Sequence, residues 1–182
     1  AKVVRDISEL QALQEQLRST LERLQLAVGA AGIGVWVWDL TTDALSWDAR
    51  MLELYGAPST LSSSPALREL WRSRVHPEDL ETAQQTLQAH VSGKSEFDTT
   101  FRIFHRDGSL RYIQAAAIIE RDRNGRAIRA VGINRDITDQ KTVEARIRQL
   151  NASLETQVAE RTAELNRALA EAEQANHAKS EF

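Results

Sequence analysis

The sequence predicts an α+β domain carried between two long amphipathic helices. Three observations lead there. Between Phe97 and Thr138, apolar and polar residues alternate with a period of two and are punctuated at Asp107-Gly108 and Asn124-Gly125, pairs that supply positive φ for hairpin turns. Upstream, Val35 to Asp39 and Ala44 to Trp47 read as a second strand pair across a polar turn. Outside these limits, at both ends, the period changes to about 3.6.

In chain order, residues 1–8 read as the end of an upstream unit. Residues 9–30 read as a helix, with Ser8 and Gln11 fitting a capping box. Leu10, Leu17 and Leu24 recur every seven residues, with Leu13 between the first two and Leu21 and Val28 on a neighbouring stripe. That is a seam for a partner helix. Gly29, Gly32 and Gly34 end it. Asp48 to Tyr55 reads as a short helix with Asp48 as cap, Pro58 to Pro65 as a Ser-rich loop, and Leu67 to Val75 as a second short helix. His76-Pro77-Glu78-Asp79 opens a third that runs to about Val91, with proline in the first turn and two acids where the helix dipole favours them. Three strands follow: Phe97 to Ile103 with Phe101 between, then Tyr112 through Ile119, then Ile128 through Ile137.

From Thr138 onward no glycine or proline interrupts the chain, so residues 139–182 read as one helix of about 65 Å. Thr138 stands as cap and Asp139 complements the dipole. Its apolar positions, Val143, Ile147, Leu150, Leu154, Val158, Leu165 and Leu169, form a stripe that a domain of this size cannot cover. Leu154, Val158 and Thr162 step by four twice before three-four spacing resumes, and an extra step of four locally unwinds a coiled coil. Arg5-Asp6-Ile7-Ser8 before the first helix matches Arg135-Asp136-Ile137-Thr138 before the last, which suggests a tandem array of modules.

Composition narrows the function. The chain has 182 residues, 42% of them hydrophobic, and a net charge of −3. That balance argues against non-specific nucleic-acid binding. With no cysteine there is no disulfide framework, thiolate zinc site or cysteine nucleophile. No apolar run approaches the ~18 residues of a membrane span, and no signal peptide is visible. The expectation is a cytoplasmic module without membrane contact of its own, whatever a longer parent chain carries elsewhere. No nucleophile–base pair, phosphate loop or metal cluster suggests an enzyme. His76 reads as a helix-start residue. His90, His105 and His177 lack metal-ligand spacing, and no metal is expected. Arg102, Arg106 and Arg111 read as a solvated face.

Five stretches, in order, carry a family resemblance: Gly34-Val35-Trp36-Val37-Trp38-Asp39, Met51-Leu52-Glu53-Leu54-Tyr55-Gly56, His76-Pro77-Glu78-Asp79, Arg106-Asp107-Gly108, and Gly132-Ile133-Asn134-Arg135-Asp136-Ile137-Thr138. Residues 31–138 resemble a PAS domain of the subtype ending in a PAC segment. The resemblance implies a five-stranded antiparallel sheet with short helices on one face. The tail, Glu160 to Leu165 and Ala178 to Phe182, resembles the linker that precedes the dimerisation and phosphoacceptor helices of sensor histidine kinases.

What the resemblance implies about the site follows from family alignment. Phe101, Ile103, Ile113, Ala115, Ala117, Gly132 and Asn134 are expected on the ligand-facing side of the sheet. Flavin-binding relatives use a cysteine and polar amides. Here Ile103 and Ile113 stand at amide positions and only Asn134 matches. Haem-binding relatives carry an axial histidine where the nearest equivalent here is about Thr82. Neither flavin nor haem is expected, and a filled core or a small ligand of mixed polarity remain the alternatives. Asp136 and Thr138 are the expected relay from sheet to helix. The partners implied are a second copy, paired in parallel through both helices, and a kinase domain in the same parent chain. A different effector such as a diguanylate cyclase, or a purely structural dimerisation role, stand as alternatives.

Overall fold

The structure, a computed structural model, describes residues 2–94 and 96–180, with side chains described for 10–94, 96–173 and 176. The His177 side chain and residues 181–182, on which part of the linker resemblance rests, lie outside the described residues. The chain divides into two units, residues 1–138 and 139–182.

In the first unit, α1 (Lys2–Ala30) leads into β1 (Ile33–Asp39), β2 (Leu45–Trp47), α2 (Ala49–Tyr55), α3 (Ala66–Arg74), α4 (Pro77–Val91), β3 (Phe97–Phe104), β4 (Leu110–Arg121) and β5 (Ala127–Asp136). A single 3₁₀ turn, Ser59–Leu61, interrupts the Ser-rich loop. The strands form one antiparallel sheet in the order β2-β1-β5-β4-β3. The expected five-stranded architecture is therefore present, and β1 lies between its hairpin partner β2 and the last strand, β5.

Local signals account for several boundaries. The Asp48 side chain accepts from the Met51 backbone N–H at 2.7 Å, and Gly56 closes α2 in a left-handed conformation. At α4, Pro77 follows His76, whose Nδ1 accepts from the Glu78 N–H at 3.3 Å.

Both hairpin turns fall where the sequence puts them, but their type differs. Only the glycines have positive φ, +82° at Gly108 and +80° at Gly125. Gly108 N–H donates to the His105 carbonyl and His105 N–H to Ser109; Gly125 with Asp122, and Asp122 with Arg126, repeat the arrangement. Each loop is a type I turn closed by a glycine bulge, the three-residue alternative to the two-residue turn. Asp107 and Asp122 favour it because their carboxylates accept the next backbone N–H groups, at Ser109 and at Asn124 and Arg126.

Two other expectations are corrected. The first helix begins at Lys2, so Ser8 lies inside it and is not its cap. Arg5 to Ser8 is thus helical, although the matching Arg135 and Asp136 end a strand. Among the described residues no strand pairs with 5–8, and helical hydrogen bonds take up that backbone. Arg102 is half-buried and bound by acids rather than free in solvent. Its guanidinium donates to Asp79 at 2.6 and 2.9 Å and to Glu78 at 2.8 Å, and its backbone N–H also donates to Asp79. With Val75 bridging to Ile103 and His76 N–H donating to the Arg102 carbonyl, this clamp covers the free edge of β3.

The clamp has an acid signature. Hydrogen bonds from Arg102 hold the carboxyls of Asp79 and Glu78 below their ordinary values. A lowered folded-state pKa contributes stability above the unfolded value, about pH 4, that is lost as pH falls through the folded one. Arg102→Met should therefore lower the melting temperature near neutral pH and flatten its fall below about pH 4. An acid limb unchanged by the substitution would contradict the assignment.

The core lies between the inward face of the sheet and helices α2, α3 and α4. Met51, Leu54, Tyr55, Leu67, Ile103 and Ile113 are its largest fully buried side chains. The second unit is the remainder of α5 (Thr138–Ser180), one uninterrupted helix of 43 residues counted from Thr138. Every residue of the predicted stripe from Val143 to Leu169 is exposed in the single chain, as are Leu10, Leu17 and Leu24 on α1. No helix among the described residues is long and apolar enough to cross a membrane.

Candidate functional site: an aromatic cavity over the sheet

Gly34, Trp36 and Trp38 point inward from β1, and the direct Trp36–Gly132 pairing brings β5 alongside. A β-carbon at Gly132 would lie 2.1 Å from the Trp36 ring. The missing side chain is what lets that indole lie flat across β5. The Trp36 Nε1–H donates to Asn134 Oδ1 at 3.0 Å, and Asn134 Nδ2 donates to the Tyr55 hydroxyl at 2.7 Å. Asn134 is 2% exposed and Tyr55 fully buried. A buried amide is stable only when partnered, and here both ends of it are. Burial drives the Tyr55 pKa well above its ordinary value, so its hydroxyl stays protonated. Trp47 packs on the same ring at 4.8 Å.

Above this floor is a cavity of about 450 Å³, within the range of small-molecule sites. Trp36, Trp38 and Trp47 line one side and Trp71, Phe97 and Phe101 the other. Trp71 meets Phe101 edge to face at 6.2 Å. Apart from Asn134 on β5, the polar lining comes from helices: Arg68 and Arg72 on α3, and Gln84, Gln85 and Gln88 on α4. Arg68 is held. It stacks over Trp38 at 4.6 Å and is paired with Asp43, whose carboxyl the Trp38 N–H and Arg68 keep below its ordinary value. Asp43 has φ +62°, a left-handed conformation that aspartate tolerates, and it ties the β1–β2 turn to α3. Arg72 is exposed and forms no ion pair among the described residues. With the Gln84 amide turned so that its oxygen faces the guanidinium, Arg72 donates to it at 3.0 and 3.2 Å.

The residues expected on the ligand face separate into groups. Phe101, Ala115 and Asn134 line the cavity. Ile103 and Ile113 are fully buried and belong to the core beside it. Ala117 packs against that core, and Gly132 lies beneath Trp36. The tryptophans and the α3 arginines were not anticipated. Their signals were present: Trp36 and Trp38 share a face by alternation, and Arg68, Trp71 and Arg72 share one by helical spacing.

Just beyond Asn134, at the C-terminal end of β5, the Asp136 carboxylate accepts from the Thr138 N–H at 2.9 Å and faces Arg111 at 3.7 Å. The Thr138 hydroxyl accepts from the Tyr112 N–H at 2.9 Å, and Ile137 N–H donates to the Tyr112 carbonyl. Asp136 thus accepts the first N–H of α5, and Thr138 fastens the helix start to β4. Elsewhere, His76, Glu78 and Asp79 bring possible ligand atoms within 4.8 Å of one another, but the Arg102 guanidinium already occupies both carboxylates.

A family model described as PAS fold (PAS_3) matches residues 44–134, which run from β2 through the helices to Asn134 on β5 and leave out β1 with Trp36 and Trp38. The chain belongs to the PAS family. Among curated proteins it is 34% identical over 151 residues to the probable diguanylate cyclase DgcE of Escherichia coli K12, covering 83% of this chain and 13% of that protein. It is 31% identical over 127 residues to the sensor protein FixL of Bradyrhizobium diazoefficiens, covering 70% of this chain and 25% of the relative. The chain thus spans a quarter or less of these curated relatives. Among solved structures, a sensory box histidine kinase/response regulator from Burkholderia thailandensis superposes with a TM-score of 0.60 at 27% identity, over 72% of this chain and 97% of that one. This PAS domain is accordingly a sensory module of the kind found in signalling proteins, with the cavity lined by its sheet and by helices α3 and α4.

Proposed function

We propose that the chain is the sensing and relay segment of a larger cytoplasmic signalling protein. Occupancy of the cavity biases the start of α5, and α5 pairs in parallel with its copy in a second chain to pass that bias to a histidine kinase domain. One observation carries the reading. β5 supplies Gly132 and Asn134 to the cavity floor, and only Ile137 separates this strand from α5. A shift of the floor therefore reaches the helix start within four residues. The Asp136, Thr138 and Tyr112 contacts couple that start to β4 as well. The irregular seam near 154–162 supplies two helix registers close in energy, which a PAS domain could bias by the 1–3 kcal/mol typical of coupling between sites. Neither flavin nor haem is part of this proposal; the purified chain is expected to be colourless.

A second reading keeps the sensor and changes the effector. The 34% identity to a probable diguanylate cyclase favours it. The test uses the parent protein, supplied with labelled ATP or GTP. The kinase reading expects transfer of label from ATP onto the protein, and expects Asp136→Ala to shift its level severalfold while the domain stays folded by circular dichroism. Output unchanged by Asp136→Ala would count against the relay. A cyclic dinucleotide formed from GTP, with no self-phosphorylation, would replace the kinase with the second reading.

A further inference from the structure

The cavity carries an uncompensated charge. No acidic side chain lines it. Two guanidinium groups do, and among the described residues only Arg68 has a carboxylate partner. Among the described residues Arg72 bonds to the Gln84 amide oxygen alone, which leaves most of its five donors unused on a lining where Gln85 and Gln88 are also exposed. A planar guanidinium presents a fork that matches a carboxylate with two parallel hydrogen bonds. Behind the fork the cavity is walled by flat aromatic faces, which favour a flat apolar body. The Asn134 amide of the floor is engaged at both ends by Trp36 and Tyr55, so recognition of a charged group falls to the rim.

We propose that the cavity binds a small aromatic monocarboxylate. Its ring lies between Trp36 and Trp71, and its carboxylate is at the rim on Arg72, within reach of the Gln85 and Gln88 amides. The proposal rests on the sensory reading above and gives it a ligand class. It also accounts for the order of the rim: Arg68, locked on Trp38 and Asp43, shapes the wall, while Arg72 is left to recognise the anion.

The test is calorimetric titration of the 182-residue chain with indole-3-acetate, indole-3-acetamide and tryptamine. These share one ring and carry a negative, a neutral and a positive side chain. Indole-3-acetate should bind at least about tenfold more tightly than the amide, since hydrogen bonds to a charged partner are the stronger ones, and tryptamine should give no heat. Arg72→Gln, which keeps an amide at the rim, should reduce the acetate to the affinity of the amide and leave the amide unchanged. Arg72→Lys should restore only part of the difference, because it returns the charge without the fork. Equal binding of acetate and amide, an acid preference that survives Arg72→Gln, or no heat from any probe at millimolar concentration would each overturn the proposal. Failure here leaves the Asp136→Ala test in the parent protein intact. Acid-selective binding that leaves parental output unmoved would instead uphold the site and remove the sensory reading.

Discussion

Gly132→Ala should be among the most damaging single-methyl changes available to this chain. The added carbon would sit 2.1–2.2 Å from two atoms of the Trp36 ring, far inside contact distance. The backbone cannot retreat, because Trp36 and Gly132 are directly paired between two central strands. The indole must therefore swing out of the floor, and its hydrogen bond to Asn134 goes with it. Overpacking of this kind costs about 1–3 kcal/mol, and a lost buried hydrogen bond about 1 kcal/mol more. A total of about 2–4 kcal/mol corresponds to a drop of about 10–25 °C in melting temperature for a domain of this size. Thermal unfolding followed by circular dichroism measures it, and tryptophan emission reports the exposed indole. A melting point within a few degrees of the parent, with unchanged emission, would mean that the Trp36–Gly132 contact does not organise the floor.

The second large effect lies on the helix. Leu150 and Leu154 are 46% and 56% exposed in the single chain. Full burial of a leucine is worth about 1.5–3 kcal/mol, so completing the burial of seven such positions on each of two helices yields on the order of 10 kcal/mol. Association costs of about 4–15 kcal/mol are of the same size, so two adjacent layers decide the balance. Leu150→Glu together with Leu154→Glu removes both layers and places four carboxylates in their stead. The wild-type chain should scatter light as a dimer of twice its 20.4 kDa mass, and the double variant as a monomer at micromolar concentration. The domain should still melt cooperatively, since no core residue of the first unit is touched. A variant that remains dimeric would move the principal interface away from α5.

Much of the fold could be read locally. The Asp48 cap, the proline start at His76-Pro77, both hairpins and the long helix all rest on signals within a few residues. What escaped was long-range. Strand alternation states which face a residue takes but not how far along the sheet a cavity extends, so Ile103 and Ile113 were grouped with Phe101 although they belong to the core. The floor depends on partners 98 and 79 residues apart, Trp36–Asn134 and Tyr55–Asn134, which no local pattern encodes. Arg102 looked solvated because its acids lie 23 and 24 residues upstream. The strand order reached the sequence reading only through the family resemblance, since β1 pairs with β5 across nearly the whole domain.

Parallel pairing of two chains along α5 is tested most directly by disulfide trapping. The chain has no native cysteine, so single cysteines at Ile147, Leu154 and Leu165 can be read without background. In a parallel pair every seam residue faces its own copy, and all three variants should form crosslinked dimers under mild oxidation. In an antiparallel pair a residue meets its own copy only at the two-fold axis, so at most one of the three would crosslink. Crosslinking at all three is the predicted result; crosslinking at one or none would contradict the parallel relay.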